Sequence, residues 1–264
     1  MARILAVASQ KGGVGKTTAA VSLSGVALEA EREKNPAAKV LLIDTDPQGN
    51  ASGDLGVWPE GIRGGCADLF DTDKPLADCI QETKVPGLWL CAGDLTMYQI
   101  AEDLVENLPK AERLSILRTK LADFLAADPD WTVIIDTPPD LGLYTKNALI
   151  AADRVVAPVN EDIRSVYGLQ LLLKTVEGFR MRVNRRLSLL GIFRSHWRGD
   201  TNYSKGVQRY LDRQYRDLQF ATELRQDIRI REAHTEAVPV NYYDPKSRAA
   251  VGFRELWAEI QDRW

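Results

Sequence analysis

Two lysines, three glycines and two threonines fall within nine residues near the start of the chain, Gln10-Lys11-Gly12-Gly13-Val14-Gly15-Lys16-Thr17-Thr18. An apolar run over residues 3–8 precedes them, and a helical pattern over residues 16–34 follows. A strand, a Gly-rich turn and a helix start in that order make an anion cradle. The glycines let backbone N–H groups turn inward, and the helix N-terminus adds partial positive charge. Lys16 is placed to reach β- and γ-phosphates, and the Thr17 hydroxyl is a ligand for Mg²⁺. The loop departs from the general G-x-x-x-x-G-K-[ST] pattern: Gln10 stands where the first Gly belongs, and Lys11 adds a second cation inside the loop.

Such a loop needs a rigid sheet beneath it. Apolar runs without strict alternation occupy residues 3–8, 40–44, 88–92, 132–136, 154–158, 187–193 and 220–223, and helical patterns cover residues 16–34, 111–127, 166–182 and 203–215. Strand and helix in repeated alternation predict an α/β fold, a single P-loop NTPase domain over residues 1–264 with a mostly parallel central sheet flanked by helices. The segment 49–86, rich in Gly, Asp and Pro, is assigned no element, and a C-terminal helix over about residues 246–263 is expected to dock on the domain.

Composition narrows the class. The 264 residues are 45% hydrophobic and 27% charged, which excludes disorder, collagen and a small disulfide scaffold. Three cysteines, Cys66, Cys79 and Cys91, match neither an even disulfide framework nor a paired metal motif, so free thiols and a cytoplasmic location are expected. No apolar run approaches the roughly 20 residues of a spanning helix. The net charge of −3 conceals an asymmetry: residues 1–162 carry −10 and residues 163–264 carry +7. A basic C-terminal part is an electrostatic footprint for an anionic partner, or a solvated helix surface.

KGGVGKTT resembles the deviant Walker A motif of the ParA/MinD superfamily of P-loop ATPases. Val40-Leu41-Leu42-Ile43-Asp44-Thr45-Asp46-Pro47-Gln48-Gly49-Asn50 looks like the second motif of that family, and Val133-Ile134-Ile135-Asp136-Thr137-Pro138-Pro139 looks like its Walker B strand and switch. Ala157-Pro158-Val159-Asn160 and Tyr243-Asp244-Pro245-Lys246-Ser247-Arg248 also match, and the DPQGN and YDPKSR elements favour the ParA branch over MinD. The matches run in order from residue 1 to about residue 254.

The resemblance implies an ATPase in which two ATPs are sandwiched between two subunits. It casts Lys11, Lys16 and Asp46 as catalytic, with Lys11 touching the partner's nucleotide as an arginine finger does elsewhere, and Asp46 orienting the attacking water. Lys11, Gly12, Gly13, Val14, Gly15, Lys16, Thr17 and Thr18 form the ATP cradle, with Thr17, Asp44 and Asp136 around Mg²⁺. Side chains at Gly12 or Gly13 would obstruct dimerisation. No NKxD or TKxD guanine motif occurs, so ATP is preferred through resemblance. The family's Ile-Pro-Arg-Asn loop appears here as Glu223-Leu224-Arg225-Gln226-Asp227, which leaves the adenine contacts unassigned.

The resemblance also implies nonspecific DNA binding by the ATP-bound homodimer on the nucleoid. Arg198, Lys205, Arg229, Arg231 and Arg248 are the candidates, with Arg194 and Arg209 beside them, and Arg229 stands where the family places a DNA-binding arginine. No segment precedes the first strand that could house a helix-turn-helix. A ParB-like or other adaptor would stimulate hydrolysis, and the cargo would be a plasmid, a chromosome or a protein assembly. The alternative is a MinD-like membrane-cycling ATPase. Against it, the amphipathic tail over residues 253–264 carries −1, which anionic lipid does not attract, so no membrane partner is expected. An iron-protein-like electron carrier is disfavoured because all three cysteines precede Asp136.

Overall fold

Runs of Val, Ile and Leu that do not alternate with polar residues must bury both faces, and the strands they form lie in the middle of the molecule. A computed structural model describes residues 2–71, 73–199 and 201–264. Its strands are β1 (Arg3–Val7), β2 (Lys39–Asp44), β3 (Gln81–Glu82), β4 (Leu88–Cys91), β5 (Trp131–Asp136), β6 (Arg154–Val159), β7 (Ser188–Ser195) and β8 (Gln219–Leu224). They form one sheet in the order β3-β4-β2-β5-β1-β6-β7-β8. Every pairing is parallel except that of β3 with β4, so the α/β expectation holds. All seven expected strands are present. The two-residue β3 is too short to leave a pattern in the sequence.

The helices are α1 (Lys16–Arg32), α2 (Asn50–Asp54), α3 (Cys66–Asp71), α4 (Met97–Asn107), α5 (Lys110–Arg113), α6 (Ile116–Ala127), α7 (Leu143–Ala151), α8 (Ile163–Arg182), α9 (Asn202–Gln214), α10 (Ile228–Thr235), α11 (Val240–Tyr243) and α12 (Arg248–Asp262). The helix expected over residues 111–127 is broken into α5 and α6. Ser115 Oγ donates back to the carbonyls of Ala111 and Glu112, both at 3.0 Å, and this local bond competes with continuation of the helix.

Two apolar clusters lie on opposite faces of the sheet. Ala6, Leu41, Ile43, Val133 and Ile135 turn to one, with residues of α4, α6, α7 and α8. Leu5, Val7, Leu42 and Ile134 turn to the other, with α1 and α12. The three thiols are free and fully buried. α12 docks through Phe253, Leu256, Trp257 and Ile260, each at most 2% exposed, so the apolar face that a membrane helix would offer to lipid is spent on the core. No helix among the described residues is long and apolar enough to cross a membrane.

Docking of α12 has a stability signature. Leu256→Ala removes a side chain with no exposed surface, and should cost about 3 kcal/mol in urea unfolding. A loss below about 1 kcal/mol would mean that α12 contributes little to the core.

Candidate active site

Parallel strands bring their C-terminal ends to one edge, and the register decides which residues meet there. Asp44 pairs with Asp136 at the ends of β2 and β5, and Val7 of β1 pairs with Asp136 from the other side. The phosphate loop leaves β1 directly above this pair, and ligands of open α/β sheets bind at this edge. A cleft of about 1000 Å³ opens there, lined by Gly12, Gly13, Gly15, Lys16, Thr17, Thr18, Asp46 and Pro138. Across it stand Gln226, Asp227, Arg231 and His234, from the loop after β8 and from α10.

The loop takes its shape from two glycines and two braces. Gly13 and Gly15 have φ of +71° and +82°, a left-handed backbone that a Cβ disfavours. Ser195 Oγ at the end of β7 donates to the Val14 carbonyl at 2.6 Å. The imidazole of the next residue, His196, hydrogen-bonds the Gly13 backbone, and burial holds it below its ordinary pKa. Open space surrounds Gly12, where an added Cβ would meet nothing.

The two lysines of the loop behave differently. Lys16 is 6% exposed, and its ammonium donates to the Lys11 carbonyl at 3.2 Å. Burial pulls its pKa down, opposed by the charges of Asp136, Asp46 and Asp140. Lys11 points elsewhere, to Asp162 Oδ2 at 2.7 Å and Asn160 Oδ1 at 3.3 Å.

Three carboxylates divide the remaining work. Asp136 has no exposed surface, its Oδ1 accepts the Thr137 N–H at 3.1 Å, and its Oδ2 is buried with no hydrogen-bond partner. Burial and the neighbouring Asp44 raise its pKa well above the carboxylate range, while the Thr17 hydroxyl and Lys16 pull the other way. An orphaned carboxylate oxygen beside a threonine hydroxyl fits a hard, oxygen-seeking cation such as Mg²⁺. Asp46 is 6% exposed, and its Oδ1 accepts the Gln48 N–H at 3.0 Å.

Asp44 has a different occupation from the expected metal contact. Its Oδ1 accepts the Asp46 N–H at 3.2 Å, and its Oδ2 accepts the Ser52 N–H and hydroxyl at 2.9 and 2.7 Å. Burial lifts its pKa to about 6, against the pull of these hydrogen bonds. Ser52 Oγ in turn accepts the Gly93 N–H at 3.0 Å. Gly93 has to be glycine, since a Cβ there would lie 2.7 Å from the carbonyls of both Asp44 and Asp46. Asp44, Ser52 and Gly93 thus clamp the turn that carries Asp46. Ser52 and Gly93 went unnoticed in the sequence, where a lone Ser and a lone Gly in a polar stretch carry no signal.

The basic candidates scatter. Arg198, Lys205 and Arg209 are exposed around the β7–α9 connection and make no ion pair among the described residues. Arg229 is also exposed, but it pairs with Glu232 at 2.6 Å and Asp244 at 3.5 Å. Arg194 is held by Gln208 at 2.9 Å and Glu223 at 3.7 Å, so it is not an open surface cation. Arg248 donates to the Gln226 carbonyl at 2.6 Å and lines a small pocket beside Gly15. Arg231 stands in the cleft itself, because α10 turns it toward the phosphate loop.

A family model described as an AAA domain matches residues 2–189. The chain is 33% identical over 261 residues to the chromosome partitioning protein ParA of Caulobacter vibrioides, covering 99% of this chain and 94% of that protein. The chain belongs to the ParA/MinD superfamily of P-loop ATPases. A second relative is the sporulation initiation inhibitor protein Soj of Bacillus subtilis, 32% identical over 98% of each chain. The crystal structure of cobyrinic acid a,c-diamide synthase from Mycobacterium smegmatis with bound ATP analog and magnesium superposes with a TM-score of 0.82. It is 28% identical, over 100% of this chain and 96% of that one.

The clamp on the Asp46 turn can be tested at Ser52. Ser52→Ala leaves the buried Gly93 N–H without its acceptor and strips one donor from Asp44, at an expected cost of about 1–3 kcal/mol in urea unfolding. A change under about 0.5 kcal/mol would show that the turn is held by something else.

Proposed function

We propose that this chain is an ATP-driven switch that dimerises face to face on ATP and binds duplex DNA as that dimer. A ParB-like or other adaptor then stimulates hydrolysis and releases it. The observation that carries the reading is the division between the two loop lysines. Lys16 turns into the chain's own cleft, whereas Lys11 is directed to Asp162 and does not line that cleft. A cation built into a phosphate loop, but turned away from its own cleft, is suited to a nucleotide held by another subunit.

In this mechanism the inward N–H groups around Gly13 and Gly15 take the polyphosphate, and Lys16 offsets the β/γ charge. The Thr17 hydroxyl and Asp136 Oδ2 would hold Mg²⁺, which would supply positive charge to offset that of the polyphosphate. Asp46, fixed through its backbone by Asp44, orients the attacking water along the line of displacement. Lys11 exchanges Asp162 for the partner's phosphates, so charge at the transferring group is completed only in the dimer. A Cβ on Gly12 meets nothing within one chain, so its cost would fall on the approach of the second subunit.

Mutation separates these steps. Lys16→Ala should abolish ATP binding by calorimetry. Lys11→Ala should keep monomer binding and lose ATP-dependent dimerisation in sedimentation. Asp46→Ala should keep both and slow turnover about a hundredfold or more, accumulating an ATP-bound dimer. Wild-type turnover in Asp46→Ala would move the catalytic role to another residue.

DNA binding rests on the +7 charge of residues 163–264 and on the exposed cations Arg198, Lys205 and Arg229. Two basic faces on one duplex give the dimer twice the phosphate contacts of a monomer, so affinity for random DNA should require ATP. It should also fall with salt at a slope of about −0.9 per phosphate neutralised. Lys205→Glu and Arg229→Glu should each weaken binding to all sequences alike and flatten that slope. Equal affinity with and without ATP in filter binding would remove the DNA reading. The DNA-bound dimer would then sit on the nucleoid, with a plasmid, chromosome or protein assembly as cargo according to the adaptor.

A further inference from the structure

We propose that Arg231 is a nucleotide-binding residue whose guanidinium closes on the ribose and α-phosphate end of ATP, and is not a DNA contact. The inference rests on the reading that the cleft takes ATP. Three observations carry it.

Arg231 lines the same cleft as Gly13, Lys16 and Thr17. His196 lines this cleft too, and the Arg231 charge adds to burial in lowering the pKa of its imidazole. His196 is the residue whose ring stands 3.6 Å from the position a Cβ on Gly15 would take. A guanidinium near His196 is therefore a guanidinium near the phosphate loop.

The acids around Arg231 are all committed elsewhere. Asp54 pairs with His234 at 3.1 Å, and Glu232 pairs with Arg229 at 2.6 Å. Both oxygens of Asp227 accept backbone N–H groups, from Arg229 and Ala249, each at 3.1 Å. Arg229, two residues away, has two carboxylate partners. Arg231 has none among the described residues, so within a concave, phosphate-cradling site its charge is offered to a ligand. A guanidinium fork takes two phosphate oxygens, or one with a ribose hydroxyl, in a way an ammonium cannot.

The end of the nucleotide follows from what lies beside it. The transferring end is marked by Asp46, Pro138 and Pro139. Arg231 sits instead next to Ile230, which with Gly15, Thr18 and His196 borders both the cleft and the smaller pocket reaching Leu224 and Arg225. That pocket shares no residue with the transferring end, and Arg231 follows Ile230 on its border.

The test compares Arg231→Ala, Arg231→Lys and Arg229→Ala in the full chain, with Lys16→Ala as the loss-of-site control. In calorimetry, Arg231→Ala should weaken ATP and ADP alike by about ten- to a hundredfold. KM should rise by a similar factor, with kcat at saturating ATP within about twofold of wild type. Arg231→Lys should recover only part of the affinity, and Arg229→Ala should bind both nucleotides as wild type. The salt slope of DNA binding by the Arg231→Ala dimer at saturating ATP should be unchanged. Unchanged nucleotide affinity with weakened DNA binding would overturn the proposal and return Arg231 to the DNA surface. Unchanged ADP affinity with a fall in kcat would overturn it in favour of a contact at the γ-phosphate. Retained nucleotide affinity in Lys16→Ala would instead fail the ATP reading itself, and the proposal with it.

Discussion

Two carboxylates with no exposed surface, Asp44 and Asp136, are set side by side by the register of β2 and β5. Like charges taken out of water repel and lose hydration, so each needs compensation. The chain provides it unequally. Asp44 receives three donors from the Asp46 turn and from Ser52, and becomes the fixed point of that turn. Asp136 is left with an oxygen that accepts nothing, which is a demand for a cation. One buried pair thus yields both a scaffold for Asp46 and a position for Mg²⁺.

The same economy governs the lysines. A phosphate loop holding two ammonium groups against one polyphosphate would repel itself, and here the two are separated by burial and by partner. Lys16 lies among acidic groups inside the cleft, and Lys11 is answered outside it by Asp162 and Asn160. Asp162 also caps α8 by accepting the Arg164 N–H at 2.9 Å. Lys11 and the start of α8 therefore share one carboxylate.

The cradle, the strands and the three carboxylates Asp44, Asp46 and Asp136 are legible in the sequence because each is local: glycines beside lysine, and apolar runs ending in or just before Asp. Several other features are not. α7 is buried along most of its length and leaves no amphipathic pattern to read, and the break between α5 and α6 depends on one serine bonding back. The duties of Asp44 are set by Ser52 and Gly93, which reach it only in three dimensions. The resemblance makes Arg231 a DNA-binding candidate, whereas its place in the cleft is decided by how α10 is turned and by the commitments of Asp54, Glu232 and Asp227 to other groups.

The braces on the phosphate loop come from far along the chain. Ser195 Oγ reaches Val14 across 181 residues, and His196 beside it holds Gly13. β7 joins the sheet only through β6, which itself pairs with β1. The loop is made long before its braces, because the Val14 carbonyl has no Ser195 to hold it until 181 further residues have followed. Contacts of such sequence separation form late and slowly. The loop therefore reaches its native shape only once β7 is in the sheet, and a chain cut short before residue 195 lacks both braces.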